Sequence, residues 1–471
     1  MTLEEYKNTF ETPELWFKEE VNRPYHRQRI SNCIMNKDYL RGNHKVKQRE
    51  DAVFKGKELI TRKTIIQYAK TVIDFHNTYM LGKPVTLTGE ENTVKTFNDI
   101  YKLGHYDTVD YTILDRVNKF GDAYEVVYIE NGVIKSKVLD SSDCYPVYTD
   151  LGEYVAFIEH WTDAISNVSY WNVYYPTYVE NWCDEGGQEH MYNSGINVCG
   201  LPIHYHNFND EDYLYGESLL DDLKPLLDEL EDIYSKLGDA IYVNTLNPLN
   251  VSMGVRLDSA IPADATGYVL NLEQGGEFKV VSTTMDYNNI KFYIQSLKTM
   301  INEIACIPAV LSNTEVSNIS EMSMKMLFHL ATIKAMSNEK WLKKGMQERF
   351  DKWRKLLGMQ GMSADDFVEI EFNLNMPMDS NELFSNLKAM REMGAISVQS
   401  IMEQSEMIRD TKIEQNRLDK EGYINQNTED GIKKYAELTA GATGKGLSMT
   451  RKDGDGDGKV NEDPHGHGEN L

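Results

Sequence analysis

Apolar side chains recur at helical intervals in several long stretches of the chain. The first 80 residues are mainly helical and charged in pattern, and residues 64–81 form the clearest amphipathic helix among them. Gly82 suits the end of this helix, and Pro84 prevents its continuation. The N-terminal part is therefore predicted to be helical up to about residue 81.

The pattern changes to short runs of aromatic and β-branched residues from about Val109. Two of these runs, Ala123–Ile129 and Val133–Leu139, flank Asn131-Gly132, and this dipeptide supplies the positive φ angles of a tight hairpin turn. Further runs follow at residues 154–161, 168–175 and 177–182. We therefore predict an antiparallel meander of half-buried strands.

Four aromatic side chains in this meander fit two interpretations. They form either a platform for a ligand or packing pairs across the strands. We favour cross-strand packing, because aromatic pairs commonly stabilise neighbouring strands. The residues are Trp161, Trp171, Tyr174 and Trp182.

Gly216–Val243 is predicted to be one long helix with an apolar seam. Its apolar residues follow spacings of 4, 3, 4, 3 and 4, the heptad pattern by which helices pack side by side. At 1.5 Å per residue the helix would be about 42 Å long. It carries eight acidic and two basic side chains, an excess of six negative charges. The seam consists of Leu223, Leu227, Leu230, Tyr234, Leu237 and Ile241.

A second helical region surrounds a polar loop. Tyr287–Ile304 carries an apolar stripe, Pro308 follows it, and Met322–Leu357 is predicted to be one long helix beyond the loop. Residues 244–285 contain short extended runs and are predicted to be a small strand module between the helical regions. Two shorter helices are predicted within residues 380–407, and the chain becomes rich in glycine and polar residues after Ala440.

Composition narrows the classes of function. The 471 residues include 74 acidic and 49 basic side chains, so the formal net charge is −25. A protein that grips DNA by its phosphates normally has a basic surface, and this chain as a whole does not. Its five widely spaced cysteines form no CxxC pair, so they signal neither a zinc site nor a disulfide framework. We expect neither a signal peptide nor a membrane span.

One stretch of the tail has the spacing of a calcium-binding loop. Carboxylates lie at the first, third and fifth positions of this stretch, and Gly458 lies at the sixth. Position twelve, where the pattern needs a bidentate glutamate, is Pro464. A flexible acidic tail is the interpretation we favour, with weak calcium binding as the alternative. The candidate ligands are Asp453, Asp455, Asp457, Lys459 and Asn461.

The helix–loop–helix at Tyr287–Leu357 resembles the portal family of tailed bacteriophages, in particular the long-tailed phages of Gram-positive bacteria. The segments that carry the resemblance are LKTMINEIACIPAV, the loop SNTEVSNIS, EMSMKMLFHLATIKA and KKGMQERFDKWRKLL. Other segments agree in order: YAKTVIDFHNTYMLGKPV, YLYGESLLDDLKPLLDELEDIYSKLGDAI and MREMGAISVQSIME. The resemblance covers most of residues 60–410, and its specificity lies in the order and spacing of the segments.

The resemblance implies an α+β fold that is mainly helical, with an antiparallel β wing, a two-helix stem, a small strand-containing clip and a helical crown. The expected segments are the wing at residues 1–215, stem helices at 216–243 and 286–306, the clip at 244–285, the tunnel loop at 307–320, a long helix and return to the wing at 321–377, the crown at 378–440 and a flexible acidic tail at 441–471.

By the same resemblance, the chain is expected to be one subunit of a ring, usually of twelve, at the capsid vertex of a virion that is assembled in the host cytoplasm. The seam of the first stem helix is expected to pack subunits together. The expected partners are other copies of the chain, double-stranded DNA in the channel, the terminase, the major capsid and scaffolding proteins, and a head-completion or adaptor protein, with no membrane.

The tunnel loop is expected to project at the DNA. Its neutral polar side chains permit weak contacts that do not depend on base sequence. The loop residues expected at the DNA are Ser312, Asn313, Thr314, Glu315, Val316, Ser317, Asn318 and Ile319, of which Asn313, Thr314, Ser317 and Asn318 are the neutral polar ones considered.

Residues 321–357 carry nine basic and four acidic side chains, a net charge of plus five against the trend of the chain. Such a run either binds DNA or forms ion pairs, and we favour pairing with acidic residues of a neighbouring subunit. The side chains considered are Lys343, Lys344, Arg349, Arg354 and Lys355.

No catalytic residues are expected, because the chain contains no P-loop, no H-E-x-x-H and no nucleophile elbow. Two alternatives remain open at this point. One is an enzyme that processes nucleic acid, and the other is a calcium-dependent scaffold built around the tail. A scaffold of that kind would repeat its calcium motif, and the chain has one copy.

Overall fold

The computed structural model describes residues 3–54, 57–242, 249–253, 275, 277–281, 286–308, 321–359, 367–376, 380–404, 408 and 411–421. The chain divides into two compact units, Met1–Pro377 and Met378–Leu471. Within the described residues, no helix combines the length and apolar character needed to cross a membrane.

The helices of the first unit are α1 (Leu3–Lys7), α2 (Trp16–Val21), α3 (Pro24–Leu40), α4 (Tyr68–Leu81), α5 (Glu91–Gly104), α6 (Tyr106–Phe120), α7 (Lys224–Ile241), α8 (Tyr287–Ile304), α9 (Glu321–Leu327) and α10 (His329–Leu357). Those of the second unit are α11 (Ser380–Glu392), α12 (Val398–Gln404) and α13 (Thr411–Glu421).

The strands are β1 (Ala52–Phe54), β2 (Lys57–Leu59), β3 (Thr86–Thr88), β4 (Asp122–Glu130), β5 (Val133–Val138), β6 (Cys144–Tyr148), β7 (Tyr154–Thr162), β8 (Ser169–Tyr174), β9 (Tyr178–Cys183), β10 (His190–Ile196), β11 (Ile203–His206), β12 (Leu249–Met253), β13 (Glu277–Val281) and β14 (Glu369–Glu371). All the described pairings are antiparallel. The chain is therefore of the α+β class that the sequence predicts.

Two sheets organise the first unit. A five-stranded sheet has the order β10-β9-β8-β7-β6, and a three-stranded sheet has the order β11-β4-β5. The predicted hairpin at Asn131-Gly132 is confirmed: it joins β4 to β5, and both residues have positive φ angles of 53° and 77°. The predicted meander is also confirmed, since β7, β8 and β9 pair in sequence.

Each sheet buries one face against helices. The five-stranded sheet packs on α1 and α2, and the apolar cluster between them includes Phe10, Trp16 and Phe17. The three-stranded sheet packs on α5, α6 and the second half of α10, where Phe350 and Trp353 are fully buried. A separate cluster joins α4 to α7 and α8. The long helix α10 therefore shares a core with the three-stranded sheet.

The predicted change of pattern at Val109 is wrong. Residues 106–120 form α6, and α5 precedes it, so strands begin only at Asp122. Ile113, Leu114 and Val117 are buried at helical spacing in the core, and this burial outweighs the β preference of their branched side chains. The N-terminal part is also less helical than predicted, because β1 and β2 interrupt it.

Two predicted helices begin later than the apolar pattern suggests. The helix predicted at 64–81 begins at Tyr68, and the helix predicted at 216–243 begins at Lys224. The backbone N–H groups of Thr64 and Ile66 donate to Ser235 and Glu231 side chains on α7. Residues 64–67 thus lie ahead of α4, and side chains of α7 bind their amides.

The start of α7 is set by Pro225, which stands in its first turn, where its missing N–H costs no intrahelical hydrogen bond. Side chains hold the residues ahead of it. The backbone N–H of Gly216 donates to Asp122 at 3.0 Å, and that of Glu217 donates to the Asn207 side chain at 2.7 Å. The observed helix has 18 residues, so it is about 27 Å long at 1.5 Å per residue. The predicted helix 322–357 is divided at Phe328, whose ring packs on Phe75 and Tyr79.

Gly345 allows α10 to lie directly on the three-stranded sheet. A Cβ atom added at this position would lie 2.4 Å from two ring carbons of Tyr205 on β11. Gly345→Ala should therefore lower the free energy of unfolding by about 1–3 kcal/mol, the usual cost of overpacking a core. Chemical denaturation measures it. Gly195→Ala on β10 is the control, because a Cβ there meets nothing within 4 Å. Equal stability of the two variants would contradict the close packing.

Candidate functional site

Two sets of predicted site residues lie outside the described residues. The tunnel-loop residues 312–319 fall between the end of α8 and the start of α9, and the calcium candidates 453–461 fall in the tail. Both sets stay predictions. Within the described ranges, no group of three or more histidine, cysteine, aspartate or glutamate side chains is arranged to hold a metal ion. The helices α8 and α9, which flank the loop, and the elements that pack on them are therefore the parts of this site that the structure describes.

The helices α7 and α8 pack against each other and against α4. Leu227 and Leu230 on α7 contact the same buried cluster as Leu297 and Ile301 on α8. Between the two helices the chain contains the antiparallel pair β12–β13, in which Leu249 faces Val281. The order helix, strand, strand, helix matches the predicted strand module between two helical segments.

The apolar seam of α7 mostly serves its own chain. Leu223, Leu227 and Leu230 are buried together with α4 and α8 residues, and Tyr234 packs on the edge of that cluster. Leu223, Leu227 and Leu230 are therefore corrected from the predicted subunit contact to an intrachain core, whereas for the half-buried Tyr234 the subunit contact stays a prediction. A seam of i, i+4, i+7 spacing identifies a packing face but does not identify which helix covers it. Ile241 is 46% exposed, so the predicted subunit contact stays a prediction for Leu237 and Ile241.

The acidic face of α7 is partly neutralised by a basic segment of the same chain. Residues 41–63 carry eight lysines and arginines against three acids. Arg49 pairs with Asp239 at 3.0 Å and with Asp232 at 3.8 Å, and the backbone N–H of Arg62 donates to Asp239 at 2.8 Å. The sequence pattern did not predict this pairing. The excess of negative charge along α7 is consequently smaller than its own composition suggests.

Glu231 is the buried centre of this contact. Its carboxylate accepts hydrogen bonds from the backbone N–H of Ile66 and contacts Nδ1 of His44, each at 2.7 Å. Nε2 of His44 faces the carbonyl of Tyr39 at 2.8 Å. Burial raises the pKa of Glu231, and the Ile66 amide and His44 oppose that shift.

Arg349 on α10 forms a fully buried ionic contact. Its Nη1 donates to Asp110 of α6 at 2.6 Å, and its Nε lies 2.9 Å from Glu125 of β4. The Tyr205 hydroxyl donates to the same Glu125 carboxylate at 2.6 Å, and the guanidinium lies over the Tyr106 ring at 5.1 Å. Burial raises the pKa of Asp110 to about 6, although Arg349 opposes the shift. The Arg349 cluster therefore ties α10 to one helix and two strands.

This cluster corrects the prediction for the basic run of residues 321–357. Arg349 pairs inside its own chain rather than with a neighbouring subunit, because its side chain is fully buried there. Arg354 pairs with Asp351 at 3.3 Å, and Lys343 pairs with Glu339 at 2.6 Å. Lys344 instead lies over the ring of Trp341 at 5.6 Å. A charge count along a helix does not separate its buried cations from its exposed ones.

Asp110 and Glu125 were not predicted as site residues, although the sequence around each of them sets it apart. Asp110 interrupts the apolar face of α6, and Glu125 interrupts the apolar run of β4. A lone charge in an otherwise buried pattern needs a partner, because an unpaired buried carboxylate is very costly. The identity of that partner, 224 residues away from Glu125, is decided by the fold.

The preferred interpretation of the aromatic residues in the meander agrees with the structure. Trp171 and Trp182 face each other across β8 and β9, and both rings contact Phe17 of α2 at 5.9 and 5.3 Å. Trp161 stacks on Tyr170 of the neighbouring strand at 5.4 Å. These rings therefore form cross-strand and interlayer packing.

Comparisons with known proteins identify a family. A family model described as phage portal protein, SPP1 Gp6-like, matches residues 23–427. Among solved structures, the chain is similar to one in the neck of an empty GTA particle computed with C6 symmetry, with 13% identity, a TM-score of 0.46, and coverage of 70% of this chain and 86% of that chain.

It is also similar to a chain in the virion of a native gene transfer agent (GTA) particle, with 14% identity, a TM-score of 0.44, and coverage of 69% and 85%. A search of curated proteins found no match. Only the family match bears on what the chain belongs to.

Removal of the Arg349 guanidinium should destabilise the fold strongly. Arg349→Met leaves Asp110 and Glu125 buried beside each other, so the free energy of unfolding should fall by about 3–5 kcal/mol. Denaturant titration measures it. The matched control is Lys355→Met on the same helix, since Lys355 is exposed and its loss should change stability by less than about 0.5 kcal/mol. A loss for Arg349→Met as small as that of the control would refute the role of the cluster.

Proposed function

This chain belongs to the SPP1 Gp6-like family of phage portal proteins, and on that premise we propose that it is one subunit of a ring through which double-stranded DNA enters and leaves a phage capsid. The observation that carries the proposal is the family match over residues 23–427. The ring lies at the capsid vertex of the virion, after assembly in the host cytoplasm, and we propose twelve subunits.

The pair α7–α8 is the stem of this ring in our proposal. The two helices pack side by side, and the β12–β13 pair lies between them in the chain. We assign residues 244–285 to the clip, on which the terminase docks during packaging and a head-completion or adaptor protein docks afterwards. The wing is residues 1–215 and the crown is residues 378–440, which face the capsid and scaffolding proteins and the capsid interior.

The charge of the stem suits passage of DNA. A duplex carries two negative charges per base pair, and tight phosphate contacts would form salt-dependent traps along the channel. On α7 the buried Glu231 and the paired Asp232 and Asp239 are occupied by the basic segment, whereas Glu229 remains exposed. The stem therefore offers little free positive charge to a passing duplex.

The tunnel loop is the proposed contact with DNA. It lies between α8, which ends at Ile304, and α9, which begins at Glu321. Beyond α9, the Arg349 cluster anchors α10 in the wing. In this proposal the neutral polar side chains of the loop contact the duplex weakly.

The family is structural, and we propose that the chain has no enzymatic activity of its own. Packaging needs energy, so in this proposal a separate ATPase supplies it. The nucleic-acid-processing enzyme and the calcium-dependent scaffold find no support in the family match.

The purified chain should form rings with a central hole in negative-stain images. Changing Asn313, Thr314 and Asn318 to alanine should leave these rings intact and reduce DNA packaging or retention, because the loop contacts are lost while the ring is not. A DNA packaging assay measures the effect. Alanine at Glu185 and Gln188, which are exposed in a wing turn, is the control. Monomeric particles would refute the ring, and unchanged packaging by the loop variant would refute the loop contact.

We hold weak calcium binding by the tail at 453–461 as the alternative to a flexible acidic tail. Three carboxylates at alternate positions support it, and the missing glutamate at the twelfth position makes it weak. On this alternative, titration calorimetry of the whole chain should show heat at millimolar calcium. The same titration of a variant with Asp453, Asp455 and Asp457 changed to Asn should show none. Absence of heat from the unchanged chain would remove the calcium site.

A further inference from the structure

The first half of α10 has two apolar faces, and its own chain covers one of them. Phe328, Ala331 and Ala335 are buried against α4. The other face carries Leu330, Ile333 and Met336, which are 48%, 51% and 54% exposed. We name these three residues the α10 stripe. Large apolar side chains gathered on one exposed face mark an interaction surface, whereas scattered single ones do not.

The surroundings of the α10 stripe are basic. Ile333 and Met336 line a groove of about 700 Å³ together with Phe208, Trp341 and two lysines, Lys340 and Lys344. Neither lysine has an acidic partner among the residues that the structure describes. In a chain of net charge −25, two such cations beside an apolar groove favour an acidic occupant.

A second uncovered apolar face lies on α8. Phe292, Met300 and Ile304 are 74%, 38% and 47% exposed, and they fall on one i, i+4 row of the helix. We name them the α8 ridge. Leu297 and Ile301, on the adjoining face of α8, are buried. Glu303 lies beside the ridge, is exposed, and has no cationic partner within the described ranges. The α8 ridge is thus apolar with an acidic edge.

We propose that the α8 ridge of one copy of the chain packs on the α10 stripe of the next copy, with Glu303 facing Lys340 and Lys344. The proposal rests on the ring proposed above and names the surfaces that close it. A closed ring of identical subunits joins two different surfaces at every interface, so each subunit must carry a complementary pair. The α8 ridge and the α10 stripe are such a pair, because both are apolar and their charged edges have opposite sign.

The shapes of the two surfaces also agree. Rows of side chains at i, i+4 spacing on one helix pack against rows at i, i+3 spacing on another, and the α8 ridge and the α10 stripe have these two spacings. The occupant is therefore a second copy rather than a free peptide: the ridge is already presented on a helix that its own core holds rigid. The contact removes six exposed apolar side chains from water at each interface.

Cysteine cross-linking tests the pairing directly. A chain carrying both Met300→Cys and Met336→Cys, the positions that the contact of Glu303 with Lys340 brings together, should give a ladder of covalent oligomers up to the full ring on a denaturing gel after treatment with a short thiol-reactive cross-linker. Each single variant and the unchanged chain are the controls, since Cys199 and Cys306 are partly accessible. The ladder should form only in the chain that carries both new cysteines. Cross-linked dimers alone, or no ladder in a sample that shows rings by electron microscopy, would overturn the pairing and leave the ring proposal standing.

A second set of variants tests the surfaces without cross-linking. Ile333→Asp with Met336→Asp should lower the fraction of chains in rings more than tenfold, and Lys340→Glu with Lys344→Glu should do the same until Glu303→Lys is added. The control is Ile165→Asp, because Ile165 is 95% exposed in a wing turn far along the chain from both surfaces. Thermal unfolding confirms that each variant is folded. Rings that persist in the Ile333 and Met336 variant refute the inference, and an unchanged chain that forms no rings refutes both it and the proposed function.

Discussion

The position of α10 depends on one constraint, which is that a buried charge must be paired. Arg349 has no access to water, so its guanidinium requires the carboxylates of Asp110 and Glu125, and they in turn require it. The three residues come from α10, α6 and β4, and Tyr205 of β11 adds a fourth element through Glu125. Apolar packing brings these elements together, but it permits several rotations of a helix. The ionic cluster selects the rotation of α10 that points Arg349 at Asp110 and Glu125. Gly345 then lets the helix approach the sheet closely.

Buried and half-buried polar side chains also bind the backbone ahead of the helices around the stem. Glu231 and Ser235 on α7 capture the amides of Ile66 and Thr64, and Asn207 and Asp122 capture the amides ahead of α7. Each captured amide is one that a longer helix would have left without a buried acceptor. The segment ahead of α4 and the segment ahead of α7 are therefore tied to distant side chains. The stem pair α7–α8 is joined in this way to the body of its own subunit.

These buried contacts divide the surfaces of a subunit into those that its own chain covers and those that are left for neighbouring subunits. The seam of α7, the buried face of α8 and the second half of α10 are used within the chain. The α8 ridge and the α10 stripe are left exposed in the part of the chain that the structure describes. A ring that guides DNA needs rigid subunits, joined through surfaces that differ from the core, and a channel with little free positive charge. The distribution of buried pairs, exposed apolar rows and neutralised acids in this chain meets those needs.

The sequence by itself determined what depends on neighbouring residues. The hairpin at Asn131-Gly132, the meander that follows it, the helical nature of residues 287–304 and 329–357, and the family resemblance all arise from local spacing, turn chemistry and segment order. Only the tertiary structure decided where α4 begins, which helices cover the seam of Leu223, Leu227 and Leu230, and which basic residues of α10 are exposed. Those outcomes depend on hydrogen-bond acceptors and charges that lie far away in the chain. Local spacing shows that a face is apolar or that a charge is isolated, but a partner 224 residues distant is specified only when the chain has folded.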